Sequence, residues 1–182
     1  MQGRELLLGV AGGVAAFKAA ALTSQLVQSG ARVTVVMTAA AQHFIGRATF
    51  EALTGRPVHR DVFDPVDCPL GAHIELAERA ELMCVAPATA NFMAKAAGGL
   101  ADDLLSTLYL TNPGPLLLAP AMNSDMWEKP AVQRNLAQLR EDGAIIVDPE
   151  SGWLSCRKTG TGRMASPETI HAAIAAEFAK LG

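Results

Sequence analysis

The 182-residue chain has only three cysteines, Cys68, Cys84 and Cys156, widely spaced and without a CxxC pair. That scarcity argues against a disulfide framework and against a zinc site, and it points to a reducing, cytoplasmic setting. No apolar run approaches the length of a membrane span. Arg4 and Glu5 precede only a short apolar stretch, which is not the layout of a signal peptide. Basic residues are not in excess: 15 Lys and Arg stand against 18 Asp and Glu, a net charge of −3. The broad positive field that nucleic-acid binding needs is therefore missing. Also absent are a GxGxxG fingerprint, a Walker loop and a GxSxG elbow. His43, His59, His73 and His171 are scattered, without the i, i+4 pairing of a metal-binding helix, so no metal is expected.

What is present is apolar sequence in short pieces. Half of the residues are hydrophobic and 18% are charged, enough for a real core in one unit spanning 1–182. The runs ELLLGV (5–10), RVTVVM (32–37), ELMCVA (81–86), PLLLA (115–119) and AIIVD (144–148) are each nearly continuous and end in a loop signal. Such runs suit strands buried on both faces of a parallel sheet, and Cys84 inside the third reads as a core thiol. Helical patterns fill the gaps. Val14, Phe17, Ala21, Leu22 and Leu26 share one helical face, and 90–110 and 131–141 also read as helix. A last helix is capped by Ser166, has Pro167 in its first turn, and carries the stripe Ile170, Ile174, Phe178 and Leu181. Alternating strand and helix predicts an α/β fold with a doubly wound parallel sheet. Segment 55–72 is the least regular and reads as a long loop or short helical turn.

In such folds ligands collect at the carboxyl ends of the strands. Here those ends read AGGVAAFKA, TAAA, PATAN, PAMNSDMW and PESGW, with almost no charge in four of the five. A dinucleotide site would want an acidic residue after the second strand for a ribose hydroxyl; Thr38 stands there instead. Thr38 and Thr89, beside helix N-termini, suit the phosphate of a mononucleotide, and ordinary capping accounts for them equally well. Asp102 and Asp103 are adjacent and read as a solvated face or a cap. Arg47, Arg56 and Arg60 read as surface charges. His73 opens a helix beside Gly71 and is a candidate base. The stretch WLSCRKTGTGRM (153–164) sets Cys156 in a basic loop whose Gly160 and Gly162 give it freedom to bend and close.

The segments GGVAAFKA, HIELA, PATANFMAKAAGGLADDLLSTLYL, PAMNSDMW and SGWLSCRKTGTGRM occur in this order. Together they resemble the flavin-containing cysteine decarboxylase family over roughly residues 5 to 175. Within it, the likeness is greatest to decarboxylases that serve coenzyme A biosynthesis. The resemblance implies a Rossmann-like, flavodoxin-type subunit that binds FMN. It implies a homotrimer, or a dodecamer built of trimers, with FMN at the subunit interface. The cofactor contacts it carries over are Gly12, Gly13, Val14, Thr38, Ala40, Phe44, Thr89, Ala90, Asn91 and Ala121. Those for a small-molecule substrate are Asn123, Met122, Gly160, Gly162, Arg163 and Met164.

The implied reaction takes 4'-phosphopantothenoylcysteine to 4'-phosphopantetheine. Transient oxidation to a thioaldehyde provides an electron sink, CO2 leaves, and re-reduction gives the saturated aminothiol. The implied catalytic residues are His73 as base of the oxidative step, Asn123 as holder of the carboxylate, and Cys156 as proton donor of the final reduction. The sequence departs from the family where Cys156 is followed by Arg157 and Lys158, in place of the usual glycine and acidic residue. Phe92 also stands where some members have a hydroxyl. The basic pair leaves two alternatives open: another cysteinyl substrate, peptide or small and acidic, or a non-catalytic FMN-binding regulatory flavoprotein. In many bacteria such decarboxylases are fused to a ligase. Whether a ligase accompanies this chain is not legible in it.

Overall fold

A computed structural model describes residues 1–63 and 71–181; Cys68 and the 64–70 part of the irregular 55–72 segment lie outside the described residues. Five strands, β1 (Glu5–Val10), β2 (Arg32–Met37), β3 (Leu82–Ala88), β4 (Leu116–Pro120) and β5 (Ile145–Ile146), form a sheet in the order β2-β1-β3-β4-β5. Every pairing in it is parallel. This is the expected doubly wound sheet, with its order reversing between β1 and β3, where open α/β sheets bind ligands. β1 to β4 are buried on both faces apart from the first residues of β1 and β2, which is why they read as unbroken apolar runs rather than alternating ones. β3 runs two residues further than the apolar run suggested, and β5 is only two residues long.

The helices are α1 (Ala16–Gln28), α2 (Arg47–Thr54), α3 (Ala72–Arg79), α4 (Ala90–Gly98), α5 (Leu104–Thr111), α6 (Ser124–Trp127), α7 (Pro130–Glu141) and α8 (Pro167–Lys180), with a 3-10 turn at Ala39–His43. One core cluster packs α1 and α8 against Leu6, Leu8, Val33, Val35 and Cys84. The other packs α3, α4, α5 and α7 against Leu7, Met83, Val85 and Leu118. Burial pushes the Cys84 thiol far up, so it stays protonated as a core side chain. Among the described residues, no helix is long and apolar enough to cross a membrane and no acidic, histidine or cysteine cluster could hold a metal.

Several expectations are corrected. The pattern at 90–110 is two helices. Gly99, at φ 66°, ends α4 by donating back to Ala96, and Asp103 starts α5 with a reciprocal capping box to Ser106. Asp103 is thus a cap, as one of the two readings held. On α1 the buried face is Ala16, Ala19, Leu22, Thr23 and Leu26, whereas Phe17 and Ala21 point outward and Val14 precedes the helix, exposed. Apolar residues on both stripes of α1 hid which one faces the sheet. On α8, Ile170, Ile174 and Phe178 are buried, but Leu181 lies past the helix end and is exposed. Arg56 is not a plain surface charge: its guanidinium donates to both oxygens of Glu5, at 2.7 and 3.0 Å, and to Thr34. Arg47 and Arg60 make exposed contacts, to Glu51 and Gln42. In the described part of 55–72, His59 bridges to Val36 and extends the sheet past β2.

Candidate functional site

The carboxyl ends of β1, β3 and β4, with the residues just after β2, open onto one cavity of about 1020 Å³. After β1 the chain turns at Gly12 and Gly13. A Cβ on Gly12 would lie 2.3 Å from the Cβ of Ala40, so only glycine lets this turn meet the one after β2. A Cβ on Gly13 would have more room, meeting only the Thr89 methyl among the described residues, at 3.8 Å. Thr38 caps the 3-10 turn by accepting from the Ala41 amide at 3.2 Å, and Thr89 caps α4 by accepting from Phe92 at 3.3 Å. The capping and anion readings are compatible, because each hydroxyl accepts in the cap and keeps its proton to donate. The first amides of α4, on Ala90 and Asn91, have no partner within the helix and border the same cavity.

Beyond β4, Ala121 donates to Ala88 and Met122 donates to the Gly162 carbonyl, at 3.0 and 2.9 Å. Asn123 caps α6: its Oδ1 accepts from the Met126 amide at 2.8 Å. That bond fixes the side chain and leaves the Nδ2 group to donate into the cavity, which Asn123 lines.

The basic stretch is a hairpin and not a free loop. β6 (Glu150–Trp153) pairs antiparallel with β7 (Thr159–Arg163), and Leu154 donates to Lys158 across the tip. Its glycines serve close approach rather than bending. A Cβ on Gly160 would lie 2.9 Å from Ser124 Cβ, and one on Gly162 2.3 Å from the Met122 carbonyl oxygen. No apolar run marks these strands, so periodicity missed them. Arg157 at the tip holds φ 62°, a left-handed conformation that favours glycine, and Lys158 lies 3.5 Å from Asp125 on α6.

The cavity gathers Gly12, Gly13, Val14, Thr38, Ala40, Thr89, Ala90, Asn91 and Ala121 of the expected cofactor set, and Met122, Asn123, Gly162, Arg163 and Met164 of the substrate set. Four expected residues do not line it within one chain. Phe44 ends the 3-10 turn with its ring exposed. Gly160 backs onto Ser124, and Cys156 sits exposed at the hairpin tip. His73 lies on α3, with Nδ1 buried and, among the described residues, unpartnered.

Sequence reasoning missed Phe17, Lys18, Lys95, Asp103, Met126 and Trp153, all of which line the cavity. Phe17 was credited to the core face. Lys95 reaches Asp102 at 2.5 Å and Asp103 at 2.7 Å across the Gly99 turn, a partnership that spacing alone does not reveal. Burial works against the Lys95 charge, but these two hydrogen bonds outweigh it and raise the pKa. Lys18 donates to the Met164 carbonyl at 2.7 Å; burial, then Arg163, lower its pKa. The donor set fits a flavin mononucleotide. A glycine turn, two threonine hydroxyls and helix amides suit its phosphate, no carboxylate follows β2, and Phe17, Phe92, Met126 and Trp153 give a planar ring apolar walls.

A family model described as Flavoprotein matches residues 1–179. The chain is 45% identical over 170 residues to the coenzyme A biosynthesis bifunctional protein CoaBC of Bacillus subtilis (strain 168), covering 93% of this chain and 42% of that protein. It is 46% identical over 167 residues to the protein of the same name from Mycobacterium tuberculosis (strain ATCC 25618 / H37Rv), covering 92% and 40%. The chain thus spans about two fifths of the length of these curated relatives. Among solved structures it resembles a cysteine-to-serine variant of PPC decarboxylase complexed with pantothenoylaminoethenethiol, with a TM-score of 0.87, 30% identity, and 98% of this chain and 100% of that chain covered. It also resembles the FMN-dependent cysteine decarboxylase SpaF, with a TM-score of 0.80, 39% identity, and 96% and 98% covered.

Proposed function

The chain belongs to the flavoprotein family, and from that premise we propose that it is an FMN-dependent carboxy-lyase that converts 4'-phosphopantothenoylcysteine to 4'-phosphopantetheine in coenzyme A biosynthesis. The observation that carries the reading is Asn123. Its acceptor oxygen is occupied by the α6 cap, so what it offers the cavity is an amide donor. A neutral donor holds a carboxylate without the full charge that would oppose its departure as CO2.

When bound, FMN supplies a two-electron acceptor that later returns the pair. The chain's own groups bind, orient and move protons. The glycine turn with Thr38 and Thr89 takes the cofactor phosphate. Met122, Gly162, Arg163 and Met164 form the wall behind the substrate, and Asn123 Nδ2 takes the carboxylate. His73 acts as base through its imidazole, whose Nδ1 has no partner among the described residues. The Cys156 thiol, at the hairpin tip, supplies the proton of the last step.

His73 and Cys156 do not line the cavity of their own chain, and Val14, Phe17, Met126 and Trp153 stand exposed at its walls. Both facts support a homotrimer, or a dodecamer of trimers, in which 1–182 is one unit and the partner's surface completes the site. Such clustered apolar exposure is a sign of an interaction surface. The expected setting is the reducing cytoplasm.

The test is to incubate the yellow, flavin-loaded protein with 4'-phosphopantothenoylcysteine and follow products by mass spectrometry. Loss of CO2 with the saturated aminothiol is expected, with the unsaturated enethiol accumulating from Cys156→Ser. Bound flavin without turnover would sink the assignment. Mixing His73→Gln with Asn123→Asp chains should restore part of the activity if the site is shared between subunits.

A further inference from the structure

Lys18 has no role in the reading above, yet it joins two parts of the site. It lies in the first turn of α1, directly after the glycine turn. Its Nζ donates to the backbone carbonyl of Met164, 146 residues away in sequence, at 2.7 Å. Met164 is buried and follows β7. Two residues earlier the Gly162 carbonyl accepts from Met122, the neighbour of Asn123. Two residues later the Ser166 amide donates to Glu150 at the start of β6, at 3.0 Å. The base of the hairpin is therefore pinned on three sides. Met164 and Ala165 also pack in the core cluster that holds α1, and among the described residues the Lys18 bond is the side-chain hydrogen bond that ties this base to the helix after the cofactor turn. The tip, by contrast, is held to α6 by an exposed Lys158–Asp125 pair, the kind of contact that adds little.

We propose that Lys18 is a positioning residue: its ammonium fixes the backbone of β7 against α1, and so sets the distance between the cofactor turn and the Met122–Asn123 turn that holds the substrate. The inference rests on the enzymatic reading above. Misplacement of a bound group by about 1 Å can lower turnover by roughly 100-fold, so a single lysine-to-carbonyl bond at this seam has leverage on kcat without touching substrate. A second consequence follows for product quality. If the substrate wall drifts, the unsaturated thiol escapes before the final reduction, and the saturated product falls relative to it.

The experiment compares native protein with Lys18→Met, Lys18→Gln and Lys18→Arg, all flavin-loaded. Amide hydrogen exchange at Met122, flavin content, kcat and KM separately, and the ratio of saturated to unsaturated product are read for each. Lys18→Met should keep its flavin. It should exchange Met122 roughly 5- to 10-fold faster, the factor expected for weakening one net hydrogen bond. It should also lose roughly 10- to 100-fold in kcat with a smaller change in KM, and shift product toward the enethiol. Lys18→Arg, which can still reach a carbonyl, should restore most of both. Lys18→Gln serves if the methionine variant does not fold. Native exchange at Met122 with a native product ratio in Lys18→Met overturns the proposal. So does loss of flavin, which would assign Lys18 to the cofactor instead. The exchange readout needs no substrate, so a native enzyme that fails to turn over would count against the enzymatic reading and not against this one.

Discussion

Replacing Gly162 with alanine probes the join between the hairpin and the substrate turn. Gly162 holds φ 139°, outside the range of ordinary L residues, and forcing a side chain there costs on the order of 1–3 kcal/mol. Its Cβ would also lie 2.3 Å from the Met122 carbonyl oxygen, where real contacts do not fall below 3.0 Å. The obstacle is backbone, so β7 must move away by most of an ångström. That movement breaks the Met122-to-Gly162 hydrogen bond, worth about 1 kcal/mol net. The combined loss is roughly 2–4 kcal/mol. For a chain of this size it lowers Tm by roughly 5–15 °C. Flavin content should be unchanged, since the glycine turn is untouched, while kcat falls at least about 10-fold through displacement of Asn123. Gly152→Ala is the control: among the described residues its Cβ would meet only the flexible Arg163 side chain, from 3.3 Å, and Tm should stay within about 2 °C. The assay is thermal unfolding alongside turnover and flavin absorbance. A Gly162→Ala protein with native Tm and native kcat would refute the close-approach argument.

Three further outcomes are expected. Asn123→Asp keeps the cap acceptor but removes the amide donor and adds a negative charge, so Tm should hold while decarboxylation falls by roughly 100-fold or more in steady-state assays. Arg157→Gly should raise Tm by a few degrees, because relief of the left-handed strain is worth about 1 kcal/mol. The Arg56 hydrogen bond holds the Glu5 carboxyl below its ordinary range, against the opposing effect of burial. A depressed folded pKa gives stability that is present above the unfolded value of about 4.5 and is lost as pH falls through the folded one. Denaturant titrations should therefore show native protein more stable than Glu5→Gln near neutrality, with the gap closing below about pH 4.

The strands and the fold class were legible because burial on both faces of a parallel sheet forces unbroken apolar runs, as in RVTVVM and PLLLA. The nature of the strand ends was legible too. Thr38 and Thr89 are small for the local reason that they cap the elements after them, and the sheet rule says where such ends gather. What stayed hidden was contact between distant segments. Two apolar stripes on α1 gave no way to choose the buried one, so Phe17 was assigned inward. The hairpin, TGTGR against ESGW, carries no hydrophobic signal. Its glycines looked like hinges because flexibility is visible in a sequence, whereas a carbonyl 2.3 Å from an imagined Cβ is not.

The residue pattern alone thus determined the doubly wound sheet and the uncharged character of its ligand-binding rim, and it singled out His73 and Cys156, since these follow from local chemistry and periodicity; Asn123 and the three catalytic roles came from the family resemblance of the motifs. Tertiary structure alone decided that Asn123 presents its donor and not its acceptor, that Lys95 belongs to Asp102 and Asp103, that Lys18 braces β7, and that His73 and Cys156 stand outside their own chain's cavity. The physical reason is range. Caps and apolar runs are set by neighbours a few residues apart, but an ammonium finds a carbonyl 146 residues away only after the sheet has fixed both of their addresses.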